Sequence, residues 1–183
     1  MTSEKKNKVQ KARTGKFSFI ISPLDDLTFS AARFTVLMAN IESMNRGDLE
    51  NVEDLSSIDF FASHHYIIFH PGEKAYLEMQ YHGFAETLEY SHPKPIYTNY
   101  LDKARSIIAM LVGKRCAEEK IDKIIKYILT PQGKLISTKL NDEYYVGYRY
   151  AVTEILKRVP VQISKWKELR ESWLNITPKF AIA

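Results

Sequence analysis

The sequence predicts a mainly α-helical fold with a small β wing, and three observations lead to that prediction. Glycine and proline are scarce, at 7 each in 183 residues, so long loops should be few and helix should dominate. Apolar residues recur at helical spacing along most of the chain. One segment, residues 126–139, instead reads as a short extended apolar run that leads directly into a helix.

The segment 126–139 combines a strand signal with a helix start. A proline pushes the residue before it into an extended conformation, so the apolar run that ends at Thr130 is predicted to be a strand. Thr130 suits the N-cap and Pro131 suits the first helical position. A strand that leads into a capped helix is typical of the exit from a wing. We therefore predict a winged-helix-like helical domain, in which a short helix turns into a wing strand at about 123–129 and a long helix follows at about 131–159.

The remaining elements are predicted from apolar periodicity and from the residues that interrupt it. Asp25 and Asp26 suit the positive end of a first helix. Two prolines mark residues 91–95 as a loop. The alternating apolar positions from Phe17 to Ile21 fit a short strand or a docking arm. The predicted helices lie at about 25–44, 52–66, 74–90, 98–114 and 164–174.

The first 16 residues form a basic leader. They carry a net charge of +5 while the whole chain carries +4, so the rest of the chain carries −1. One interpretation is a solvated, flexible segment, and the other is a contact with nucleic-acid phosphates or an acidic partner surface. Residues 17–183 are expected to form a single domain. The candidate nucleic-acid contacts in the leader are Lys5, Lys6, Lys8, Lys11 and Arg13.

Cysteine content and hydropathy indicate which cellular compartment to expect for this protein. Cys116 is the one cysteine, which excludes an internal disulfide and fits a reducing cytoplasm. No apolar stretch is long enough to span a bilayer, and no apolar run follows the basic N-terminus as in a secretory signal. We therefore expect a cytoplasmic protein that does not enter a membrane.

The residues with potential for catalysis or metal binding form no recognised motif. His64 and His65 are adjacent, so on a helix they point in different directions and share a metal ion poorly. Cys116 lies beside Lys114 and Arg115, which would favour its thiolate, but no partner base is identifiable. We predict no catalytic residue, no cofactor and no metal. A small hydrolase or nuclease that uses one of the two histidines with a nearby aspartate remains a third hypothesis.

Aromatic residues in the C-terminal part are candidate anchors. Tyrosine and tryptophan bury well in a core and are enriched at protein interfaces. Base stacking by the tyrosines is a further interpretation, because cations lie among them. The predicted interface residues are Tyr144, Tyr148, Trp166 and Trp173.

Three short motifs follow one another along the chain. Arg33 lies within Ala-Arg-Phe on the first helix, Asp59 and Phe60 lie within Ile-Asp-Phe on the second, and Thr130-Pro131-Gln-Gly133 follows the predicted wing. This order resembles the middle component of bacterial ABC-three-component systems of the Lamassu type, which provide anti-phage and anti-plasmid defence. The resemblance covers about residues 20–175.

The resemblance implies a non-catalytic accessory subunit with a winged-helix-like fold. It implies that the subunit bridges an SMC-like coiled-coil ABC ATPase to an effector nuclease and assists in sensing foreign DNA. The subunit would reach DNA as part of the complex, and the basic leader is its candidate DNA contact. The matching position also implies a buried Asp59 that needs a cap or an arginine such as Arg33.

The alternative is a stand-alone winged-helix DNA-binding transcriptional regulator. Such a protein would present a basic recognition surface and form a symmetric dimer on a two-fold operator. The near-neutral charge of residues 17–183 counts against it. The residues available for a local basic patch are Lys114, Arg115, Lys120, Lys123 and Lys126.

Overall fold

The computed structural model describes residues 26–81 and 93–176, and this part of the chain is mainly helical with a two-stranded antiparallel hairpin. The basic leader, its five candidate contacts and the predicted arm at 17–21 lie outside the described residues. The elements are α1 (Leu27–Ser43), α2 (Val52–Ser63), α3 (Lys74–Tyr81), α4 (Pro93–Gly113), β1 (Ala117–Ile121), β2 (Ile125–Leu129), α5 (Pro131–Lys139), α6 (Glu143–Arg158) and α7 (Ile163–Leu174).

The segment predicted to be a wing strand is the second strand of a two-stranded hairpin, and the prediction of a short helix ahead of that strand is wrong. Strand β1 pairs with β2 so that Ala117 lies opposite Leu129 and Ile121 lies opposite Ile125. The two isoleucines are four residues apart in the sequence, a spacing that also fits one face of a helix. In the structure they lie opposite each other across the hairpin. Arg115 has a φ of 57°, a left-handed conformation that ends α4 and redirects the chain into β1.

The long helix predicted at about 131–159 is divided into α5 and α6. Leu140 has a ψ of 81°, which is not helical. Asp142 caps the new helix, because its side chain accepts a hydrogen bond of 3.2 Å from the backbone N–H of Tyr145. A short polar side chain that hydrogen-bonds the backbone in this way competes with continuation of the preceding helix. The apolar periodicity of the sequence did not reveal this break between α5 and α6.

The other helices differ from the prediction mainly at their ends. Helix α2 ends at Ser63, and a 3-10 turn, His65–Ile67, replaces its predicted last turn. Helix α4 begins at Pro93, so the two prolines of the predicted loop occupy its first turn, where proline is tolerated. Residues 82–90 of the helix predicted at 74–90 lie outside the described residues.

Helix α2 is the centre of the core. Its residues from Asp54 to Ser63 are all buried, and it packs against α1, α4 and α6. A helix that is enclosed on all sides normally carries apolar residues throughout. The two aspartates at Asp54 and Asp59 break that rule, and both are buried. Among the described helices, none combines the length and apolar character that a membrane span requires.

Candidate functional site

The first feature at the centre of the fold is a buried cluster of Arg33, Asp59 and Tyr148. Nε of Arg33 donates to Oδ1 of Asp59 at 3.0 Å, and Nη2 donates to Oδ2 at 2.5 Å. The hydroxyl of Tyr148 donates to the same Oδ1 at 2.5 Å. The three side chains come from α1, α2 and α6, so the cluster joins three helices. Arg33 and Asp59 are thus in direct contact, as the resemblance implied.

The electrostatics of this cluster act on the pKa values of Arg33 and Tyr148. Burial lowers the pKa of Arg33, but Asp59 together with Tyr148 and further tyrosines raises it by more, so that pKa lies well above its ordinary value. Burial, together with the negative charge of Asp59, raises the pKa of Tyr148 well above its ordinary value. Tyr148 therefore remains a neutral donor at physiological pH. The arrangement is a buried ion pair with one neutral hydroxyl donor.

A second buried cluster joins α2 to α7, and the sequence interpretation missed it. Nε1 of Trp166 donates to Oδ1 of Asp54 at 2.7 Å, and Nη1 of Arg170 donates to the same oxygen at 3.2 Å. Nη2 of Arg170 also donates to Glu53 at 2.7 Å. Asp54 lies in the first turn of α2, where the helix dipole is an ordinary local reason for an acidic residue. Its position on an otherwise apolar face was the available signal.

The aromatic residues predicted to form a protein interface lie in or against the core. Tyr148 and Trp166 are 0% exposed, so their side chains contact this chain, and the interface prediction does not fit their burial. Tyr144 and Trp173 are partly buried. Tyr144 packs against Phe29 with ring centroids 4.9 Å apart, and Trp173 meets Phe61 edge-on at 5.1 Å. For these two, a role at an interface stays a prediction.

Phe60, the neighbour of Asp59 in the second motif, has a packing role. It is fully buried and makes edge-to-face contacts with Tyr97 and Tyr100 of α4, at centroid distances of 5.6 and 5.1 Å. Such arrangements add to the gain from burial alone. Phe60 thus orients α4 against α2.

The third motif forms the junction between the wing and α5. The hydroxyl of Thr130 donates to the carbonyl of Arg115 at 2.7 Å and accepts from the N–H of Gly133 at 3.2 Å. Pro131 is exposed at the first helical position. A Cβ at Gly133 would lie 2.0 Å from the carbonyl oxygen of Cys116, so only glycine allows this approach. The motif therefore fixes the angle between hairpin and helix.

The two histidines are buried, and neither is paired with Asp59 in a catalytic arrangement. Nδ1 of His64 donates to the carbonyl of Phe60 at 2.9 Å, and burial lowers the pKa of His64 to about 4. Burial also lowers the pKa of His65 to about 4. The oxygens of Asp59 are instead bonded by Arg33 and Tyr148. Among the described residues no group of three His, Cys, Asp or Glu side chains is placed to hold a metal ion.

Some of the lysine side chains considered for a basic patch make contacts within this chain. Nζ of Lys126 donates to the carbonyl of Gly47 at 2.6 Å, and Lys120 lies opposite Lys126 in the hairpin. Both lysines line a groove of about 410 Å³ together with Glu50 and Asp122. The groove mixes charges of both signs, which does not resemble a continuous phosphate-binding surface.

The residues that carry the sequence motifs thus hold helices and hairpin together, and their side chains are mostly buried. The exposed part of the chain carries the apolar and charged residues that are available for binding. No protein-family model, no curated protein and no solved structure matches this chain.

Proposed function

We propose that this chain is a non-catalytic accessory subunit of an SMC-like ABC ATPase defence complex. In that role it bridges the ATPase to an effector nuclease in the cytoplasm and assists in sensing foreign DNA from phage or plasmid. The winged-helix-like arrangement consists of α4 followed by the hairpin of β1 and β2.

One observation carries the proposal. The three motifs on which the resemblance rests occupy the positions that organise this fold. Arg33 and Asp59 tie α1 to α2, while Thr130 and Gly133 set the exit from the wing. Motifs with such roles are expected to persist in a family whose members share a fold and differ at their surfaces. Their presence therefore supports a common architecture with the middle components of these systems.

The surface supports a role in assembly. Scattered exposed apolar side chains are normal, whereas apolar residues grouped on one element mark surfaces that a partner can bury. Leu77 and Tyr81 are one turn apart on α3 and are 55% and 78% exposed. Val161, just before α7, and Ile163, its first residue, are also exposed, at 76% and 45%. We expect the ATPase or the effector to cover at least one of these pairs.

The test is an affinity capture of the tagged full chain from its native host, read by mass spectrometry. We expect stoichiometric recovery of a large coiled-coil ATPase, retained through washes in moderate salt. Leu77→Lys and Val161→Lys each change one of these exposed sites, and we expect at least one of them to lose the ATPase or the effector. Leu135→Lys makes the same change at a leucine of α5 that is 57% exposed and lies outside both pairs, so it is the matched control and should retain the ATPase.

Two results would contradict the proposal. Recovery of the chain without any large ATPase would remove it. Recovery as a dimer that carries duplex DNA would favour the transcriptional regulator instead. In that case Lys123→Glu, at an exposed position of the wing, should abolish a salt-sensitive shift of duplex DNA.

A further inference from the structure

His65 lies in the interior of the fold without a polar partner. It begins the 3-10 turn His65–Ile67, and its side chain is 1% exposed. Neither Nδ1 nor Nε2 has a hydrogen-bond partner among the described residues. One of these nitrogens carries a hydrogen in the neutral ring, so a donor is buried unpaired, which is rare in folded proteins and costs free energy. The closed fold therefore holds His65 in an unfavourable environment.

Helix α3 covers His65. The ring of Tyr76, in α3, lies 5.2 Å from the ring of His65 between centroids, and the helix packs against the turn 65–67 and against α6. Helix α3 has eight residues, and Met79 is the one side chain of it that is described as buried. A helix of this length is marginal by itself, so α3 depends on these contacts to stay folded.

The core beneath α3 is held more firmly. Helix α2 is buried from Asp54 to Ser63, and its two buried carboxylates bind side chains of α1, α6 and α7. Segments with few buried contacts open at a lower free energy than the core does. Opening of α3 alone would therefore bring His65 into contact with water while the core stays closed.

The loop before α3 is tethered independently of His65. Glu73 accepts from the backbone N–H of His70 at 2.7 Å and pairs with Arg158 of α6. Arg158 also donates to the carbonyl of Ile68 at 3.3 Å. The hydrogen bond from His70, together with the contact with Arg158, lowers the pKa of Glu73 below its ordinary value. This tether therefore persists in mild acid, and α3 is the part that can detach.

Further titratable groups lie on the elements around His65. His64, at the end of α2, is held by the hydrogen bond of its Nδ1 to the carbonyl of Phe60. A change of charge at these groups would also act on α3, so a test has to separate them from His65. They are His64, Tyr66 of the turn, Lys74, Tyr76 and Glu78 of α3, and Tyr150, Glu154 and Lys157 of α6.

We propose that α3 is an acid-sensitive latch, in which protonation of His65 releases α3 from the turn 65–67 and from α6 while α1, α2 and α6 stay folded. A charged imidazolium is poorly tolerated in the interior without a partner, and it is hydrated once α3 has opened. Loss of the proton allows α3 to close again. The latch is a property of this chain alone and is independent of the proposed function.

The direction of the pH effect follows from the two states of His65. Burial lowers the pKa of His65 from 6.5 to about 4 in the closed fold, and the ordinary value returns when α3 is open. The open form therefore binds the proton more tightly, so the closed form is favoured above pH 6.5 and loses that advantage as the pH falls toward 4. The opening constant of α3 should rise about 20-fold between pH 7 and pH 5.

The test is native-state hydrogen exchange of the full chain, read by mass spectrometry and corrected for the intrinsic pH dependence of exchange. The hydrogen-bonded amides of α3 should lose about 20-fold in protection between pH 7 and pH 5. They should exchange far faster than those of α2 at both pH values. Low urea concentrations should hardly change their protection, because local opening exposes little surface whereas global unfolding exposes much.

Two variants assign the effect to one histidine. His65→Phe keeps an aromatic ring and removes the titrating group, so α3 should lose most of its pH response. His70→Phe makes the same change at an exposed position, keeps the backbone N–H that bonds Glu73, and should retain the response. Circular dichroism at pH 7 should show the fold unchanged in both variants.

Three results would overturn the latch. One is an α3 whose protection does not change between pH 7 and pH 5, and another is an α3 that exchanges only together with α2, through global unfolding. The third is a pH response that persists in His65→Phe. If His65→Phe does not fold, the pH and urea series on the unaltered chain still decide between local and global opening. None of these results bears on the capture of an ATPase, so the latch and the proposed function stand or fall separately.

Discussion

Trp166 in α7 donates its indole N–H to the carboxylate of Asp54 in α2 at 2.7 Å, in the interior of the fold. Arg170 donates to the same oxygen one turn further along α7. Asp59, later in α2, is met in the same way by an arginine of α1 and a tyrosine of α6. Each buried carboxylate of the central helix therefore has one arginine and one aromatic donor. Because buried charges are tolerated only when they are paired and hydrogen-bonded, these contacts fix which helices surround α2.

Asp59→Ala should destabilise the fold severely. The substitution leaves the guanidinium of Arg33 buried without its counter-charge, and removal of one member of a buried pair costs about 3–5 kcal/mol. Urea unfolding followed by circular dichroism measures the loss. Asp102→Ala is the control, because Asp102 pairs with Arg105 at the surface, where the expected change is below about 1 kcal/mol. Equal effects of the two substitutions would show that the buried pair does not organise the core.

Trp166→Phe should cost more stability than Trp173→Phe. The first substitution removes a hydrogen bond to a buried carboxylate and part of a fully buried ring, for an expected loss of about 2–4 kcal/mol. Trp173 is only partly buried and packs edge-on against Phe61, so the same change there should cost about 1 kcal/mol or less. Chemical denaturation measured by far-ultraviolet circular dichroism avoids the loss of the fluorophore. The reverse order would contradict the role given to Asp54.

Gly133→Ala should disrupt the junction between the wing and α5. Its Cβ would lie 2.0 Å from the carbonyl oxygen of Cys116 and 2.9 Å from Cδ2 of Leu129, so backbone must move, at a cost of about 1–3 kcal/mol or more. Gly113→Ala provides the matched control. No atom lies within 4 Å of a Cβ added at Gly113, and alanine there should be neutral or stabilising by up to about 1 kcal/mol. Thermal unfolding of both variants, compared side by side, gives the answer.

Stability should fall on mild acidification because of two buried histidines. The pKa of His64 and that of His65 are each lowered from 6.5 to about 4 in the fold, so the unfolded state binds more protons between those values. The histidine contribution is complete above pH 6.5 and is lost as the pH falls toward 4. Within that window each histidine adds up to about 1.4 kcal/mol per pH unit to the slope.

His65→Phe separates this effect from the titration of carboxylates. His65 is buried beside Tyr76 with ring centroids 5.2 Å apart, and phenylalanine preserves an aromatic ring while removing the titrating group. We expect the pH dependence of the unfolding free energy between pH 6.5 and 4 to become shallower than in the unaltered chain. An unchanged slope would mean that His65 is protonated as easily in the fold as in the unfolded chain.

Part of the candidate site was accessible from the sequence and part was not. Thr130 and Pro131 predict a helix start from local capping chemistry alone. Helix α5 begins at Pro131 with Thr130 as its N-cap, as the motif predicts. The pairing of Arg33 with Asp59 was implied by the resemblance, whose matching position placed a carboxylate in the interior that needs a cap or an arginine. The pairing of Asp54 with Trp166 was not, because their contact spans 112 positions of the chain and an acid near a helix start has an ordinary local explanation.

The sequence by itself determined the mainly helical class, the approximate positions of most helices and the turn from wing to α5, because spacing and capping are local properties. Tertiary structure decided three matters that local signals leave open. It placed Ile121 and Ile125 opposite each other in a hairpin instead of along a helix, since β1 and β2 pair as an antiparallel ladder. It made Tyr148 and Trp166 interior donors instead of surface anchors, since two buried carboxylates required partners. It left the side chains of residues 118–121 exposed within the described part of the chain, because exposure depends on how elements distant in the sequence pack.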